Sequence, residues 1–169
     1  MTIQVSPEQP DQHEWIYRVN TRAFDGRNEE AELVDALRSA GDLLLSLVAT
    51  VNGEVVGHAA FSRLTVDTAD GPVGGVALAP VAVDPDRQGK GVGSKLISTG
   101  IEVLREREEQ VILVVGNPAY YSRFGFSCAV GKRYPGRQSG PHFLALILGD
   151  PATAPIGPAT YPEAFELVN

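Results

Sequence analysis

A glycine-rich segment holds the residues whose types and spacing best suit chemistry. It follows a predicted apolar strand that ends at Val83, carries glycines at the alternate positions 89, 91 and 93, and precedes a predicted helix. The start of a helix presents unpaired N–H groups and partial positive charge, and glycines without a Cβ atom let a ligand approach them. Arg87 and Lys90 add mobile positive charge. The segment is therefore predicted to bind a phosphate or pyrophosphate. The residues predicted to contact it are Gln88, Gly89, Lys90, Gly91, Val92, Gly93 and Ser94.

Spacing distinguishes the kinds of phosphate loop that this segment could form. The P-loop pattern G-x-x-x-x-G-K-[ST] fails, because Gly89-Lys90 is followed by Gly91. The dinucleotide pattern G-x-G-x-x-G also fails, because its last glycine falls on Ser94 when read from Gly89 and on Leu96 when read from Gly91. The pattern Q/R-x-x-G-x-G/A fits from Gln88 onwards. A glycine-rich turn without a ligand is the alternative, and the flanking strand, helix and basic residues argue against it.

A second run, Asn-Pro-Ala-Tyr-Tyr-Ser-Arg-Phe-Gly-Phe, extends from Asn117 to Phe126. With the glycine-rich segment before it, this run resembles the GNAT superfamily of acyl-CoA-dependent N-acetyltransferases, in which a tyrosine precedes a Gly-Phe pair. The resemblance covers about residues 3 to 148. It implies acetyl-CoA as the co-substrate, with its pyrophosphate on the glycine-rich segment, and leaves the acceptor unspecified.

The resemblance also implies roles for side chains of the second run. Tyr121, five residues before Phe126, matches the tyrosine that protonates the leaving sulfur as general acid, and the adjacent Tyr120 is the alternative. Either tyrosine could instead be a packed aromatic residue with a paired hydroxyl. Asn117 either binds the CoA arm or caps the short helix that begins at Pro118.

Pro80 indicates an irregularity in a central strand, because proline is tolerated there mainly at a bulge or an edge. The resemblance implies that the strand is bulged and splays from the strand at 111–115, which leaves a V-shaped gap for the pantetheine arm. Exposed backbone after Pro80 would pair with the pantetheine amides like an added strand, and one N–H group would stabilise the thioester oxygen. An ordinary proline kink is the alternative. The residues predicted to pair are Val81, Ala82 and Val83.

The implied reaction is direct attack of a primary amine, on a small molecule or a peptide or protein, upon acetyl-CoA. A general base is needed, and residues 76–79 of the central strand supply none. Glu29 and Glu30 at the start of the second helix are candidates, although stabilisation of that helix end is the favoured explanation of their charge. A water chain that ends at several groups is a further option. Because the central strand has no carboxylate or histidine that could act as the base, two alternatives stay open. One is a non-catalytic acyl-CoA-binding or sensing domain, and the other is transfer of another acyl group. His58, His142 and Cys128 are interpreted as structural residues.

The elements that must position these residues alternate between helical and strand periodicity. Residues 73–115 read as strand–helix–strand, which predicts a parallel pair, and Asn52-Gly53 predicts an antiparallel hairpin. An α/β fold follows, and the resemblance specifies the GNAT fold: a mixed, mostly antiparallel sheet with helices on both faces and a bulged, splayed central strand pair. The predicted strands cover 2–5, 44–51, 54–64, 73–83, 111–115, 126–130 and 142–148. The predicted helices cover 13–24, 29–40, 91–108 and 118–124. Asp11 is the predicted N-cap of the first helix, Gly41 is the predicted C-cap of the second, and Thr65–Gly71 is a predicted loop.

Composition bounds the remaining possibilities. The 169 residues suit one domain, predicted as an acetyltransferase domain over 1–149 and a proline-rich arm over 150–169 that packs on it through Ile156, Tyr161, Phe165 and Leu167. The net charge of −7 and the absence of a basic run argue against nucleic acid. The sequence has no long apolar run, no secretory signal and no Cys/His cluster. We therefore expect a cytoplasmic protein that has no membrane-spanning helix and binds no metal ion. A monomer and a homodimer are both compatible with the sequence.

Overall fold

The computed structural model describes residues 2–168 and has an α/β architecture, as predicted. Within that range the chain forms seven hydrogen-bonded strands, five helices and four 3-10 turns. The strands are β1 Gln4–Pro7, β2 Leu43–Val51, β3 Glu54–Thr68, β4 Gly71–Val83, β5 Val111–Val115, β6 Phe143–Ile147 and β7 Ala159–Thr160. The helices are α1 His13–Ala23, α2 Glu29–Ala40, α3 Val92–Glu106, α4 Pro118–Tyr121 and α5 Cys128–Gly131. The 3-10 turns are Pro10–Gln12, Pro85–Arg87, Ser122–Phe124 and Glu163–Val168.

The sheet is mixed and mostly antiparallel, in the order β1-β2-β3-β4-β5-β6, with β7 paired to β3. The β4–β5 pair is parallel, with Val76 opposite Ile112 and Ala77 opposite Leu113, so the prediction from the strand–helix–strand pattern is confirmed. The chain divides into two compact units. Among the described residues, the first unit holds 2–62, Ala79–Gly100 and Glu163–Val168, and the second holds Arg63–Leu78 and Ile101–Pro162.

The first unit contains the predicted hairpin and the first two helices. Asn52 and Gly53 have φ values of 51° and 81°, which is the left-handed backbone that a type I′ turn between β2 and β3 requires. Helix α2 ends where Gly41 adopts φ 78° and donates its N–H to Arg38 O, as its C-cap position predicted. Apolar faces of α1, α2, β2 and β3 meet in a core that contains Ile16, Val34, Val48 and Ala60.

The prediction that Asp11 caps α1 was wrong. Gln12 precedes the helix, and Asp11 lies in the 3-10 turn Pro10–Gln12. That turn is held by the Gln12 side chain, whose Oε1 accepts the Gln9 N–H at 2.8 Å. The side-chain amide of Gln12, three residues after Gln9, therefore closes this turn before the helix begins.

The second unit differs from its predicted elements in two places. The predicted loop Thr65–Gly71 was wrong: β3 continues to Thr68 and β4 begins at Gly71, and Leu64 and Val66 are buried, as alternation in a strand requires. The predicted strand 126–130 was also wrong. Of residues 126–130, only Ser127 forms a β-bridge, with Ala145. The Ser127 Oγ accepts the Val130 N–H at 3.1 Å and so caps α5, which begins at the next residue.

The last part of the chain contributes to each unit separately. In the second unit Thr160 of β7 pairs with Thr65 of β3. In the first unit the turn Glu163–Val168 packs on α2 and buries Phe165. Ile156 and Leu167 stay exposed, contrary to expectation, and the predicted division between residues 149 and 150 stays a prediction.

Gly100 offers a test of packing in the first unit. A Cβ atom there would lie 2.1 Å from Cζ of Phe61, whose ring is fully buried. We expect Gly100→Ala to lower the free energy of unfolding by about 1–3 kcal/mol through overpacking, measured by chemical denaturation. Ser98→Ala, at an exposed position of the same helix, is the control and should change it by less than about 0.5 kcal/mol. A more stable Gly100→Ala protein, as helix propensity alone predicts, would contradict this packing.

Candidate active site

The glycine-rich segment has the conformation expected of an anion-binding loop. It lies between the 3-10 turn Pro85–Arg87 and helix α3. Gly89 and Gly91 adopt φ values of 75° and 86°, a left-handed backbone that favours glycine. A Cβ atom built on either would meet no atom within 4 Å, so the space before the backbone is open. A diphosphate fits this segment, because backbone N–H groups at the start of a long helix are accessible there.

The strand end before the loop is fixed by hydrogen bonds around Asp84. Its N–H donates to Val56 O at 2.8 Å, which joins the loop to β3. Asp84 Oδ1 accepts the Asp86 N–H at 2.9 Å, and Asp84 O accepts the Arg87 N–H at 2.8 Å. Gln88 donates its side-chain amide to Val83 O at 3.2 Å, so this predicted ligand residue also braces the loop. The turn before the glycines is therefore held in one conformation.

Arg22 of α1 reaches this turn from 62 residues away along the chain. Its Nε lies 3.2 Å from Asp84 Oδ2 and its Nη2 lies 3.1 Å from Asp84 Oδ1. The same Nη2 lies 3.4 Å from Asp86 Oδ2. Burial raises the pKa of Asp84, but hydrogen bonds from Arg22 and the Asp86 N–H, with the charges of Arg22 and Arg87, hold it below its ordinary value. The sequence did not reveal this contact, because no local pattern links residues so far apart.

The end of β4 contains the residues predicted to pair with a pantetheine arm. Ala82 is buried, whereas Val81 and Val83 are partly exposed. The Ala79–Pro80 peptide bond is cis. Among the described residues the parallel ladder with β5 involves only Val76 and Ala77 of β4, although β4 itself continues to Val83.

Asn117 and Tyr121 belong to the second unit. Asn117 Oδ1 accepts the Ala119 N–H at 2.9 Å, so its side chain caps α4 as the alternative interpretation had it. The Tyr121 ring packs edge-on against Phe126, with 5.7 Å between centroids. Gly116 makes room for that ring, because a Cβ there would lie 2.4 Å from Tyr121 Cε2. Burial, and then the neighbouring Tyr120, raise the pKa of Tyr121 to about 12, so its hydroxyl is protonated at neutral pH.

The two glutamates considered as bases occupy the first turn of α2, in the first unit. Glu29 is exposed, whereas the side chain of Glu30 is only 14% exposed. Glu30 Oε1 is buried and has no hydrogen-bond partner among the described residues, and Arg27 Nη2 lies 3.9 Å away. Of the two carboxylates, Glu30 is therefore the one with a buried oxygen that lacks a hydrogen bond among the described residues.

A polar cluster in the first unit explains the histidine of β3; it is formed by the buried residues Asn20, Ser46 and His58 and the partly buried Glu8 and Arg38. His58 is fully buried, with Nε2 2.8 Å from Ser46 Oγ and Nδ1 3.1 Å from Asn20 Nδ2. Ser46 Oγ donates to Glu8, which also accepts from Arg38 at 2.8 and 2.9 Å. Burial lowers the pKa of His58 to about 3, so the ring is neutral and structural.

The remaining candidates have structural contacts as well. Cys128 donates its Sγ–H to Pro141 O at 2.8 Å, and His142 Nδ1 lies 3.2 Å from Gly116 O. No cluster of three or more potential metal ligands occurs within residues 2–168. Over that same stretch, every helix is too short or too polar to cross a membrane.

Gly91 allows the loop to be tested directly. We expect Gly91→Ala to weaken CoA binding about tenfold, because the new Cβ enters the open space before the loop and strains its backbone. Gly41→Ala is a matched control, since Gly41 has φ 78° and equally open surroundings. Both changes should cost about 1 kcal/mol of stability, but calorimetry should detect weaker CoA binding only in Gly91→Ala. Equal CoA affinity in the two variants would contradict the assignment of the loop.

Comparisons with known proteins agree with this geometry. A sequence model of the acetyltransferase (GNAT) domain matches residues 4–129. YjhQ of Escherichia coli K12, named an uncharacterized N-acetyltransferase, is 46% identical over 124 residues, which are 71% of this chain and 67% of YjhQ.

Two solved structures with bound CoA species have the same fold. A GNAT family acetyltransferase from Brucella melitensis in complex with acetyl-CoA is 35% identical, with a TM-score of 0.82 over 97% of this chain and 98% of that one. YhbS from Escherichia coli in complex with CoA is 34% identical, with a TM-score of 0.85 over 97% and 92% of the two chains. These similarities support a CoA-based co-substrate.

Proposed function

Because this chain belongs to the GNAT family of N-acetyltransferases, we propose that it transfers the acetyl group of acetyl-CoA to a primary amine of a small molecule or of a peptide or protein. The observation that carries the proposal is the glycine-rich segment, with Gly89 and Gly91 in left-handed conformations, open space before their backbone and the start of α3 behind them. The segment would bind the diphosphate of acetyl-CoA, with Lys90 contributing charge.

The strand end that leads into the loop would bind the middle of the co-substrate. Backbone groups of Val81, Ala82 and Val83 would pair with the two amides of pantetheine, as an added strand does. In support, Ala82 is buried and the ladder of β4 with β5 involves only Val76 and Ala77 among the described residues. One N–H of this stretch would also stabilise the thioester oxygen as it gains charge during attack.

The reaction forms a C–N bond and breaks the thioester C–S bond. The neutral amine attacks the acetyl carbon, a base removes the proton that the amine nitrogen loses, and Tyr121 protonates the departing sulfur. The pKa of Tyr121, raised to about 12 by burial, leaves the hydroxyl protonated at the pH of the reaction, as an ordinary tyrosine would be, so the role rests on the place of Tyr121 in the motif. Glu30 is the preferred base, directly or through water, because its Oε1 is buried and without a hydrogen bond among the described residues, whereas Glu29 is exposed.

An amine acceptor also suits the charge of the chain. Most primary amines are cations at neutral pH, and the net charge of −7 attracts cations over distances comparable with the screening length. The base must then remove a proton before attack. We therefore expect turnover to rise with pH as more of the acceptor becomes neutral.

The proposal is tested by mixing the protein with acetyl-CoA and a panel of primary amines and measuring release of the CoA thiol together with acetylated product by mass spectrometry. Amine-dependent release of thiol, matched by acetyl-amine formation, is the expected result. Gly91→Ala serves as the control for contamination by another enzyme, since its CoA affinity should be reduced.

Two results would contradict the proposal in different ways. Tight CoA binding with no thiol release across the panel would favour a non-catalytic acyl-CoA-binding or sensing domain. Release with another acyl-CoA but not with acetyl-CoA would favour transfer of a different acyl group, which a mass spectrum of ligand co-purified with the protein would identify.

A further inference from the structure

The glycine-rich segment and the turn before it carry no surplus of positive charge. Over residues 84–93 the charged side chains are Asp84, Asp86, Arg87 and Lys90, two negative and two positive, so their charges sum to zero. A diphosphate brings about two negative charges, and the whole chain is at −7. Arg87 and Lys90 only offset the two carboxylates, so attraction of the diphosphate would come mainly from the backbone N–H groups.

Arg22 supplies the missing charge from a different element. It holds Asp84 through two hydrogen bonds of 3.1 and 3.2 Å and reaches Asp86 at 3.4 Å. With Arg22 included, this group of charged side chains changes from neutral to one net positive charge. Both aspartates are thereby paired with a guanidinium at the entrance to the loop.

We propose that Arg22 is a positioning residue for acyl-CoA binding, which neutralises Asp84 and Asp86 so that the adjoining loop can accept the diphosphate. The inference rests on the proposed binding of CoA by this loop. Arg22 itself need not contact the co-substrate, because its effect acts through the two carboxylates. The Asp84 side chain remains necessary, since its Oδ1 accepts the Asp86 N–H that shapes the turn.

The alternative is that the Arg22–Asp84 pair only stabilises the fold. The Arg22 side chain is 54% exposed, and exposed ion pairs contribute little to stability. A structural role would therefore appear as a small change in melting temperature that is independent of CoA. A positioning role predicts a change in CoA affinity that depends on salt.

The test measures the Kd of CoA by calorimetry for Arg22→Met, which keeps most of the side-chain length and removes the charge. We expect binding about tenfold weaker at low salt, near 50 mM, and a much smaller difference near 500 mM, where screening is strong. The affinity for pantetheine, which has no diphosphate, should change less than twofold, as a repulsion confined to the diphosphate requires. Melting without ligand should stay close to that of the parent protein.

Two further variants make the result specific. Arg22→Met combined with Asp84→Asn should recover most of the CoA affinity, because asparagine keeps the acceptor for the Asp86 N–H and removes the unpaired charge. Arg18→Met is the matched control: Arg18 lies one turn away on α1, is 57% exposed and pairs with Glu14 at 2.8 Å, so CoA affinity should not change.

Three outcomes would overturn the inference: unchanged CoA affinity in Arg22→Met at low salt, an equal loss at both salt concentrations, or no recovery in the double variant. Failure of the parent protein to bind CoA at all would instead refute the proposed function. The two failures are therefore distinguishable.

Discussion

Tyr121→Phe is expected to lower kcat about 10²–10³-fold while the Kd of CoA changes little, because the change removes only the proton offered to the departing thiolate. The phenylalanine ring can keep the edge-on contact with Phe126 and the space beside Gly116, so the fold should be retained. Single-turnover kinetics with an identified acceptor would separate this loss from slow release of product.

Tyr120→Phe is the matched control for that experiment. Tyr120 adjoins Tyr121, and its ring lies under Arg123 at 4.4 Å, a contact that phenylalanine retains. We expect the rate of Tyr120→Phe to remain within about twofold of the parent rate. A parent-like rate in Tyr121→Phe would refute its role as general acid, and a loss confined to Tyr120→Phe would transfer that role to Tyr120.

The pH dependence of activity gives an independent check on the same hydroxyl. Burial raises the pKa of Tyr121 to about 12, so loss of its proton should not reduce the rate below about pH 10. If kcat falls as the pH is raised towards 10, the fall would have to come from titration of a group other than Tyr121.

Acid is expected to destabilise the first unit well above the pH at which most carboxylates titrate. His58 has a pKa of about 3 in the folded protein, against about 6.5 when exposed. The unfolded chain therefore binds a proton that the folded chain excludes between these values, and the free energy of unfolding falls as pH drops below about 6.5. Between about pH 7 and 4.5 this one group should remove roughly 2–3 kcal/mol, measured from denaturation midpoints.

The window above pH 4.5 separates the effect of His58 from that of Glu8. Burial raises the pKa of Glu8, but hydrogen bonds from Arg38 and Ser46 and the charges of Arg38 and His13 hold it below its ordinary value of 4.5. The stability that Glu8 contributes is therefore lost only as pH falls below that value.

His58→Gln tests the assignment, because it removes the titrating ring and leaves a donor and an acceptor within the cluster. It should lower stability at neutral pH and flatten the pH dependence. His142→Gln, at an exposed position, should keep the parent's dependence. A slope in His58→Gln equal to that of the parent would contradict the prediction.

Local sequence signals predicted the elements that carry the loop. Asn52-Gly53 specified a hairpin, Gly41 a helix end, and the glycines after Val83 a strand–turn–helix, because each depends on backbone conformations that few residues adopt. Two other segments were assigned wrongly. Thr65–Thr68 looked like a polar loop, yet pairing with neighbouring strands keeps it extended, and Ser127 ends a strand pattern by capping a helix.

Side-chain contacts over long distances could not be predicted. Arg22 and Asp84 are 62 residues apart, and the bond from Ser46 to Glu8 spans 38 residues. Nothing in their neighbourhoods distinguishes them from other charged or hydroxyl residues. The general base and the primary-amine acceptor stay predictions for the same reason, since each depends on contacts between residues far apart in the sequence. The cytoplasmic location also stays a prediction.

The last residues of the chain complete the first unit, which has a consequence for synthesis. The turn Glu163–Val168 packs on α2, but residues 41–162, which include the whole of the other unit, are translated in between. Translation at about 5–20 residues per second delays that contact by roughly 6–25 seconds after α2 leaves the ribosome. Until then the α2 surface that contacts this turn is exposed to chaperones, so ribosome-bound chains halted near residue 150 should be captured by them more readily than chains that include residues 163–168.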